Sequence, residues 1–230
     1  MPTFQILCLA NSYKYQGRCI AGLRQDGLGW IRPVSTHPHG TLFAEEYQLP
    51  HQQEPRLFDI LEVDFIKPLP ELHQPENWLI SNKPWRLVAS CQSFSLSEKQ
   101  RLSSFLEHLA TPKSYIFNSF EDKISYDHIL KNPLNSSLVI VKPENLSFKI
   151  STDDKRRIKA SFDLQSSHYH LAVTDPIFLK KILYFSDGDY PVEELALPNF
   201  NSEHIFLTIS LGEPYNEYCY KIVAGVISIW

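Results

Sequence analysis

Two short strand-like segments near the N-terminus, Gly17–Gly22 and Trp30–Ser35, bring cationic, aromatic and hydroxyl side chains towards one loop. Side chains two residues apart on a strand share a face, so pairing of these segments would place Arg18, Trp30 and Arg32 on one surface. Guanidinium groups bind phosphates through two hydrogen bonds, and an indole ring stacks on a nucleobase. The segments therefore predict a ligand-binding surface.

The predicted site extends to the preceding loop and to a polar stretch, Gln74–Trp78. Its amide and carboxylate groups could read a base edge or orient a ribose. Cationic side chains would contact phosphate, and the tryptophan would stack on a base. The predicted ligand-binding residues are Ser12, Lys14, Arg18, Trp30, Arg32, Ser35, Glu76 and Asn77.

Structural roles compete for the same residues. Trp30 could belong to the core, and the arginines could pair with nearby acids. In the polar stretch, Asn77 could cap a turn while Glu76 pairs with Arg18 or Arg32 and holds that guanidinium still. The sequence leaves both interpretations open.

The most basic run of the chain, Lys155, Arg156 and Arg157, follows two aspartates between two strand-like segments. We expect it at the charged tip of a hairpin. It is either a solvated tip or a secondary basic loop that contacts phosphate, because small barrels bind nucleic acid through loops between strands.

Two histidine pairs have the i, i+2 spacing that would put both rings on one strand face: His37 with His39, and His168 with His170. Protein metal sites need three or four ligands, and no cysteine or carboxylate accompanies either pair. We therefore expect no metal site.

Catalytic signatures are also missing, since the sequence has no P-loop, GxGxxG, GxSxG or HExxH element. The carboxylates Asp59, Glu62 and Asp64 do not all fall on one strand face. Cys19 could act as a nucleophile beside Arg18, but its apolar neighbours favour a small buried residue. We expect a protein that is not an enzyme, with no catalytic residue and no cofactor.

Composition limits the function classes. The 230 residues hold 22 Lys and Arg against 26 Asp and Glu, for a formal net charge of −4. This balance disfavours a protein coated with nucleic acid but allows a local basic groove. The four cysteines lack CxxC spacing and are expected to be reduced. Without a secretion signal or a long apolar run, we expect a cytoplasmic protein with no membrane association.

Short apolar or alternating runs separated by turn residues predict strands in both halves of the chain. Between the halves lies a helix that we expect to be capped by Ser97 and ended by Pro112. Further helices are predicted at Ser119–Leu130 and at Pro176–Tyr184, where Asp175 is the expected cap. The fold class is therefore mainly β, with a first barrel at residues 1–92, a helical connector at 93–135 and a second barrel at 136–230.

Six stretches occur in one order from end to end of the chain: Cys8–Ser12, Gly17–Gly22, Trp30–Ser35, Gln74–Ile80, Val173–Pro176 and Tyr220–Ile227. In these stretches the sequence resembles the bacterial family described as the dual OB-containing domain. The resemblance implies two OB-like barrels and, by analogy of fold, binding of nucleic acid or nucleotides. Tyr13 and Tyr15, which flank Lys14, depart from the smaller or basic neighbours expected there.

A faint internal echo fits a pair of related barrels. Arg18–Gly22 and Lys221–Gly225 both place a cation shortly before Ala-Gly in a strand-like run.

The combined expectation is a non-catalytic module that binds single-stranded DNA or RNA. One alternative is a pocket that senses a nucleotide or modified nucleoside through the same residues, which the acidic net charge favours. Another is a protein-interaction subunit of a larger nucleic-acid-processing or defence complex. The expected partners are thus nucleic acid or a nucleotide, with a protein partner in the last case.

Overall fold

The computed structural model describes residues 1–110, 115–195, 197, 200 and 204–229. The chain is mainly β, as predicted, and divides into two compact units. The first comprises residues 1–94 and 133–137, and the second 95–132 and 138–230. Compactness does not by itself fix where independently folding domains begin, so the boundaries at 92/93 and 135/136 stay a prediction. No described helix is long and apolar enough to cross a bilayer.

The first unit contains six strands and one short α-helix: β1 Thr3–Lys14, β2 Gly17–Arg24, β3 Trp30–Val34, α1 Ala44–Tyr47, β4 Ile60–Pro68, β5 Asn77–Ile80 and β6 Arg86–Ala89. Five strands follow the order β1-β2-β3-β5-β4, and β4 pairs again with β1, which closes a barrel. Strands β3 and β5 are parallel, and β6 extends the sheet from β4.

One long strand closes this barrel. Residues Thr3–Leu7 of β1 pair with β4, whereas Ile6–Lys14 pair with β2, with a shift of register between Cys8 and Ala10. A bulge of this kind bends a strand and increases its twist. The barrel closes around a core that includes Ile6, Cys8, Ile20, Ile31, Leu61, Val63, Phe65, Ile80 and Trp85.

In its described residues the second unit contains three α-helices and eight strands: α2 Leu96–Leu109, β7 Lys123–Ser125, α3 Tyr126–Lys131, β8 Leu138–Val141, β9 Glu144–Thr152, β10 Arg156–Leu164, β11 Ser167–Val173, α4 Pro176–Lys181, β12 Gly188–Pro191, β13 Ile205–Tyr215 and β14 Tyr218–Ser228. Its sheet runs β12-β9-β10-β11-β14-β13-β8, with β7 paired to β14.

The second sheet repeats the strand order of the first barrel. Strands β8 and β9 are consecutive, separated by Lys142 and Pro143, and together they correspond to the bent β1. Strand β8 pairs with β13 and β9 pairs with β10, and β11 and β14 form the parallel pair. Because proline cannot donate to a ladder, Pro143 suits the break between β8 and β9. The predicted pair of OB-like arrangements is confirmed.

Helix α2 begins two residues earlier than expected. Ser95, not Ser97, is the N-cap: its hydroxyl accepts from the N–H of Glu98, whose carboxylate accepts from the N–H of Ser95 at 2.7 Å. The pair Ser97–Gln100 has the same spacing, so the capping pattern alone did not distinguish them. The expected end at Pro112 lies outside the described residues.

The other two predicted helices had different outcomes. The helix predicted at Ser119–Leu130 is wrong in extent, since strand β7 occupies part of it and α3 follows. The cap at Asp175 is confirmed, because its Oδ1 accepts from the N–H groups of Ile177 at 2.9 Å and Phe178 at 3.1 Å.

The internal echo does not fall on equivalent strands. Arg18 lies on β2, the second strand of its barrel, whereas Lys221 lies on β14, which takes the place of the fifth. The echo therefore gives no support to a duplication of the two barrels.

Candidate functional site

The first candidate surface is the outward face of β2 and β3. Gly22 pairs with Ile31, and both Ile20 and Ile31 point into the core, so Arg18 shares the inward side of β2. Trp30 and Arg32 alternate with Ile31 and point outward. The predicted common surface for Arg18, Trp30 and Arg32 is therefore wrong, because a register offset of one residue places a side chain on the other face.

Arg32 is buried, with 1% of its surface exposed. Its Nε and Nη2 donate to Oε1 of Glu76 at 3.2 and 2.9 Å, and Nη2 also donates to Oγ of Ser137 at 2.7 Å. Its Nη1 lies 2.9 Å from Sγ of Cys19. This agrees with the interpretation in which Glu76 pairs with an arginine, and it leaves the guanidinium without a face towards solvent.

Glu76 and Asn77 are also buried. Glu76 accepts from both the N–H and the hydroxyl of Ser137. Burial by itself raises the pKa of Glu76, but the charge of Arg32 and the hydrogen bonds from Ser137 outweigh it, so the pKa lies below its ordinary value. Asn77 donates to Oε1 of Gln74 at 3.4 Å. The polar stretch thus builds an internal network.

Three further predicted residues have local roles. Ser12 is buried, and its hydroxyl donates to the carbonyl of Cys19 at 3.4 Å. Ser35 donates to the carbonyl of Thr41 at 2.5 Å and is also buried. Trp30 is half-buried and does not belong to the barrel core. None of these contacts tests the predicted binding of a ligand.

Lys14 and Arg18 flank the tight turn between β1 and β2. Arg18 binds Glu54 through Nη2 at 2.7 Å and Nε at 3.4 Å, and its guanidinium lies 4.4 Å from the ring centre of Tyr13. Lys14 is half-buried. This turn is where the first barrel carries predicted cationic residues close to solvent.

The equivalent face of the second unit has the opposite character. Inward positions of β9, β10 and β11 are apolar and buried, including Phe148, Ile158, Phe162 and Leu171. Most outward positions are polar and exposed or half-buried: Lys149, Ser151, Arg157, Lys159, Ser161, Asp163, His168 and His170. We call this outward surface the cationic face.

Two lysines oppose each other on the cationic face. Lys159 of β10 is directly opposite Lys149 of β9. Like charges in this position destabilise a sheet, so the pairing does not serve folding. On its other side Lys149 is opposite Asp189 of β12, which supplies part of the compensation. An anion bound between the lysines would relieve the remaining repulsion.

His168 and His170 lie on the same face of β11, as their spacing predicted. His168 contacts Asp163, with Nδ1 2.8 Å from Oδ1, and Ser161, with Nε2 3.1 Å from Oγ. The pKa of His170 is lowered by burial and then by the positive charges of Lys159 and Lys149, against an opposing effect of Asp189. The field at His170 is therefore positive.

The basic run divides at the tip of the β9–β10 hairpin. Lys155 and Arg157 are exposed, as expected for a charged tip. Arg156 is half-buried, and its Nη2 donates to the carbonyls of Ile182 at 3.1 Å and Phe185 at 2.6 Å. Arg156 thus anchors the hairpin, while Arg157 faces solvent on the cationic face and Lys155 is exposed at the tip.

A metal site and a cluster of carboxylates are the remaining candidates. Within the described part of the chain, no three His, Cys, Asp or Glu side chains are grouped to hold a metal ion. Asp59 is buried and accepts from the N–H groups of Arg56 and Cys91, and Glu62 pairs with Arg86. Cys19 is half-buried against Arg32.

The cationic face was missed as a site by sequence reasoning, although its signal is present. From Arg157 to Asp163 the chain alternates polar and apolar residues, which marks one wet and one buried face. The segment Ser167–Val173 alternates in the same way. The alternation does not show that the two segments pair with each other. It is this pairing that places their cationic residues on one surface.

A closed five-stranded barrel of this order defines the OB class, whose members bind oligonucleotides on the face of strands 2 and 3 and on adjoining loops. The sequence model of the dual OB-containing domain matches residues 4–226, so the chain belongs to that family.

No curated protein matches the sequence. Among solved structures, one described as a murine DNA binding protein bound with double-stranded DNA is similar to the chain, with 6% identity. It covers 98% of this chain and 100% of its own, with a TM-score of 0.29. A likeness this distant carries no argument about the present protein.

Proposed function

We propose that the protein is a non-catalytic binding module for single-stranded nucleic acid, and that the cationic face of its second unit carries the contact. The observation that supports this most directly is the opposed pair Lys149 and Lys159, with Arg157 and His170 on the same surface. Phosphates of an extended strand would lie between these cations.

The position of the face within the fold supports the same function. Strands β10 and β11 correspond to strands 2 and 3 of an OB barrel, the usual oligonucleotide surface, and Lys155 lies on the adjoining loop. The corresponding face of the first unit is closed, since Ala21, Arg32 and Val34 are all buried. Of the two equivalent faces, the one in the second unit is therefore the better candidate for the contact.

The test is fluorescence anisotropy with labelled single-stranded DNA, single-stranded RNA and duplex, at low and at physiological salt. We expect the single strands to bind, with affinity that falls steeply as salt rises. The double variant Lys149→Glu with Lys159→Glu should weaken binding and reduce the slope of log K against log salt by roughly 0.7 per lost phosphate contact.

A matched double variant, Lys67→Glu with Lys180→Glu, makes the same change of net charge at exposed positions that do not lie on the strands of the face. It should keep most of the affinity. Equal loss in both double variants would mean that only the overall charge matters. No binding of any of the three probes by the wild-type protein would overturn the proposal.

A further inference from the structure

An exposed aromatic pair lies at the turn between β1 and β2 of the first unit. The rings of Tyr15 and His39 stack with their centres 4.3 Å apart and their planes at 23°. Tyr15 is 61% exposed although one of its faces is covered by His39. The rest of the phenol ring, including its second face, is therefore open to solvent.

The backbone holds the two rings in register. Arg18 donates its N–H to the carbonyl of Leu42 at 2.8 Å, and Leu42 donates back at 3.0 Å. A Cβ at Gly17 would collide with the same carbonyl oxygen, so glycine permits this close approach. The turn that carries Tyr15 is thus fixed against the segment that carries His39.

Both residues occupy a conformation that L-residues rarely adopt. Tyr15 has φ of 42°, Gln16 of 70° and His39 of 63°. Tyr15 and Gln16 form a two-residue hairpin turn, in which asparagine or glycine is usual because both φ angles are positive. The two aromatic rings in these positions stack on each other rather than in the core.

Two cationic residues, Lys14 and Arg18, lie on the strands that flank the same turn. The guanidinium of Arg18, held by Glu54, lies over the ring of Tyr13, which is 52% exposed. Lys14 lies between the two tyrosines in sequence. Flat π-faces next to positive charge are the combination that binds a nucleobase and its phosphate.

We propose that the stacked pair Tyr15–His39 is a binding platform for an unpaired nucleobase, which lies on the open face of Tyr15. The site belongs to the first unit and does not depend on the cationic face of the second. It would hold one base, and the loop between strands 1 and 2 is a contact region of OB barrels.

The test uses the full chain with labelled tyrosine and histidine rings, observed by NMR during titration with adenosine 5′-monophosphate. Ribose 5-phosphate, which lacks the base, is the matched control. We expect saturable ring-current shifts at Tyr15 with the nucleotide and none with the sugar phosphate. The substitution Tyr15→Phe assigns the resonance and should preserve binding, as judged by the shifts of His39.

The substitution Tyr15→Leu removes the ring and should abolish the saturable shifts at His39. It should also weaken binding of a single-stranded oligonucleotide roughly tenfold, whereas Tyr184→Leu, at another exposed tyrosine, should not. Shifts of equal size with ribose 5-phosphate, or no saturable shift at Tyr15, would overturn the platform. The nucleotide titration uses no oligonucleotide, so its outcome does not depend on whether the cationic face binds nucleic acid.

Discussion

Arg32 and Glu76 form a buried ion pair, with Nη2 2.9 Å from Oε1 and side chains only 1% and 4% exposed. Arg32 lies on β3 and Glu76 directly precedes β5, its parallel neighbour. Ser137 donates to the same carboxylate, so the pair also fastens residues 133–137 to the first barrel. Its role in this structure is to join chain segments that are distant in sequence.

Removing one partner of this pair should be costly. Glu76→Leu removes the carboxylate that compensates the buried charge of Arg32, and we expect it to lower the free energy of unfolding by about 3–5 kcal/mol. The double variant Arg32→Met with Glu76→Leu should lose less, because no buried charge remains. Urea unfolding measures both.

The control is the surface pair of Glu62 with Arg86, whose arginine side chain is 69% exposed. Arg86→Met should change the free energy of unfolding by less than about 1 kcal/mol. If Glu76→Leu is no more destabilising than Arg86→Met, the buried pair does not hold the barrel together.

The same carboxylate predicts sensitivity to acid. The pKa of Glu76 is lowered in the folded protein, because Arg32 and Ser137 outweigh the opposing effect of burial. Its stabilising contribution is therefore fully present above the pKa of the unfolded chain, about 4.3. It is lost as the pH falls through the lower, folded value. Urea unfolding between pH 6 and pH 3 should show a flatter profile for Glu76→Gln than for the wild-type protein, and parallel profiles would contradict the assignment.

The secondary structure of this fold can be predicted from the sequence better than the register of its strands. Alternation and turn residues predict most strands, and the order of motifs predicts the family. The faces of β2 and β3 follow from a register in which Gly22 opposes Ile31, and no local pattern specifies that register. For this reason the sequence shows that Arg18, Trp30 and Arg32 lie on neighbouring strands but not which face each side chain occupies.

Whether the outward face of a strand is exposed to solvent depends on tertiary contacts. Arg32 and Arg157 both sit at outward positions of strands, yet one is buried by contacts with Glu76 and Ser137 and the other is exposed. Those contacts join residues 44 and 105 positions apart in the chain. The local sequence therefore shows which cations lie at outward positions, but only the tertiary packing determines which of them are exposed to solvent.

Lys221 predicts an unusual response to alkaline pH. Its ammonium is buried and donates to the carbonyls of Ser119 at 2.7 Å and Glu121 at 2.5 Å, and burial lowers its pKa to about 8. Between pH 8 and the unfolded pKa of about 10.4, the unfolded chain binds more protons at this site. The wild-type protein should therefore gain stability over Lys221→Met as the pH rises through this range.

Thermal or urea unfolding at pH 7.5 and pH 9.5 measures this difference. The gain should be of the order of 2 kcal/mol, since one pKa unit corresponds to about 1.4 kcal/mol. Lys180→Met, at an exposed lysine, should follow the wild-type protein at both values. A constant difference between wild type and Lys221→Met would show that this lysine does not titrate in the range.

His170 predicts how the proposed nucleic-acid contact depends on pH. Its pKa is lowered by burial and by Lys159, Lys149 and His168, with Asp189 acting in the opposite direction. A bound polyanion would offset the positive field, raise this pKa and so favour uptake of a proton on binding. Affinity for single-stranded nucleic acid should therefore increase as the pH falls from 7.5 to 5.5 at constant ionic strength, by up to tenfold for roughly each unit of pKa change.

Anisotropy titrations should show a weaker increase for His170→Gln, whereas His128→Gln, at an exposed histidine on α3, should keep the wild-type dependence. An unchanged pH dependence in His170→Gln would remove this histidine from the contact and leave the lysines as its cations.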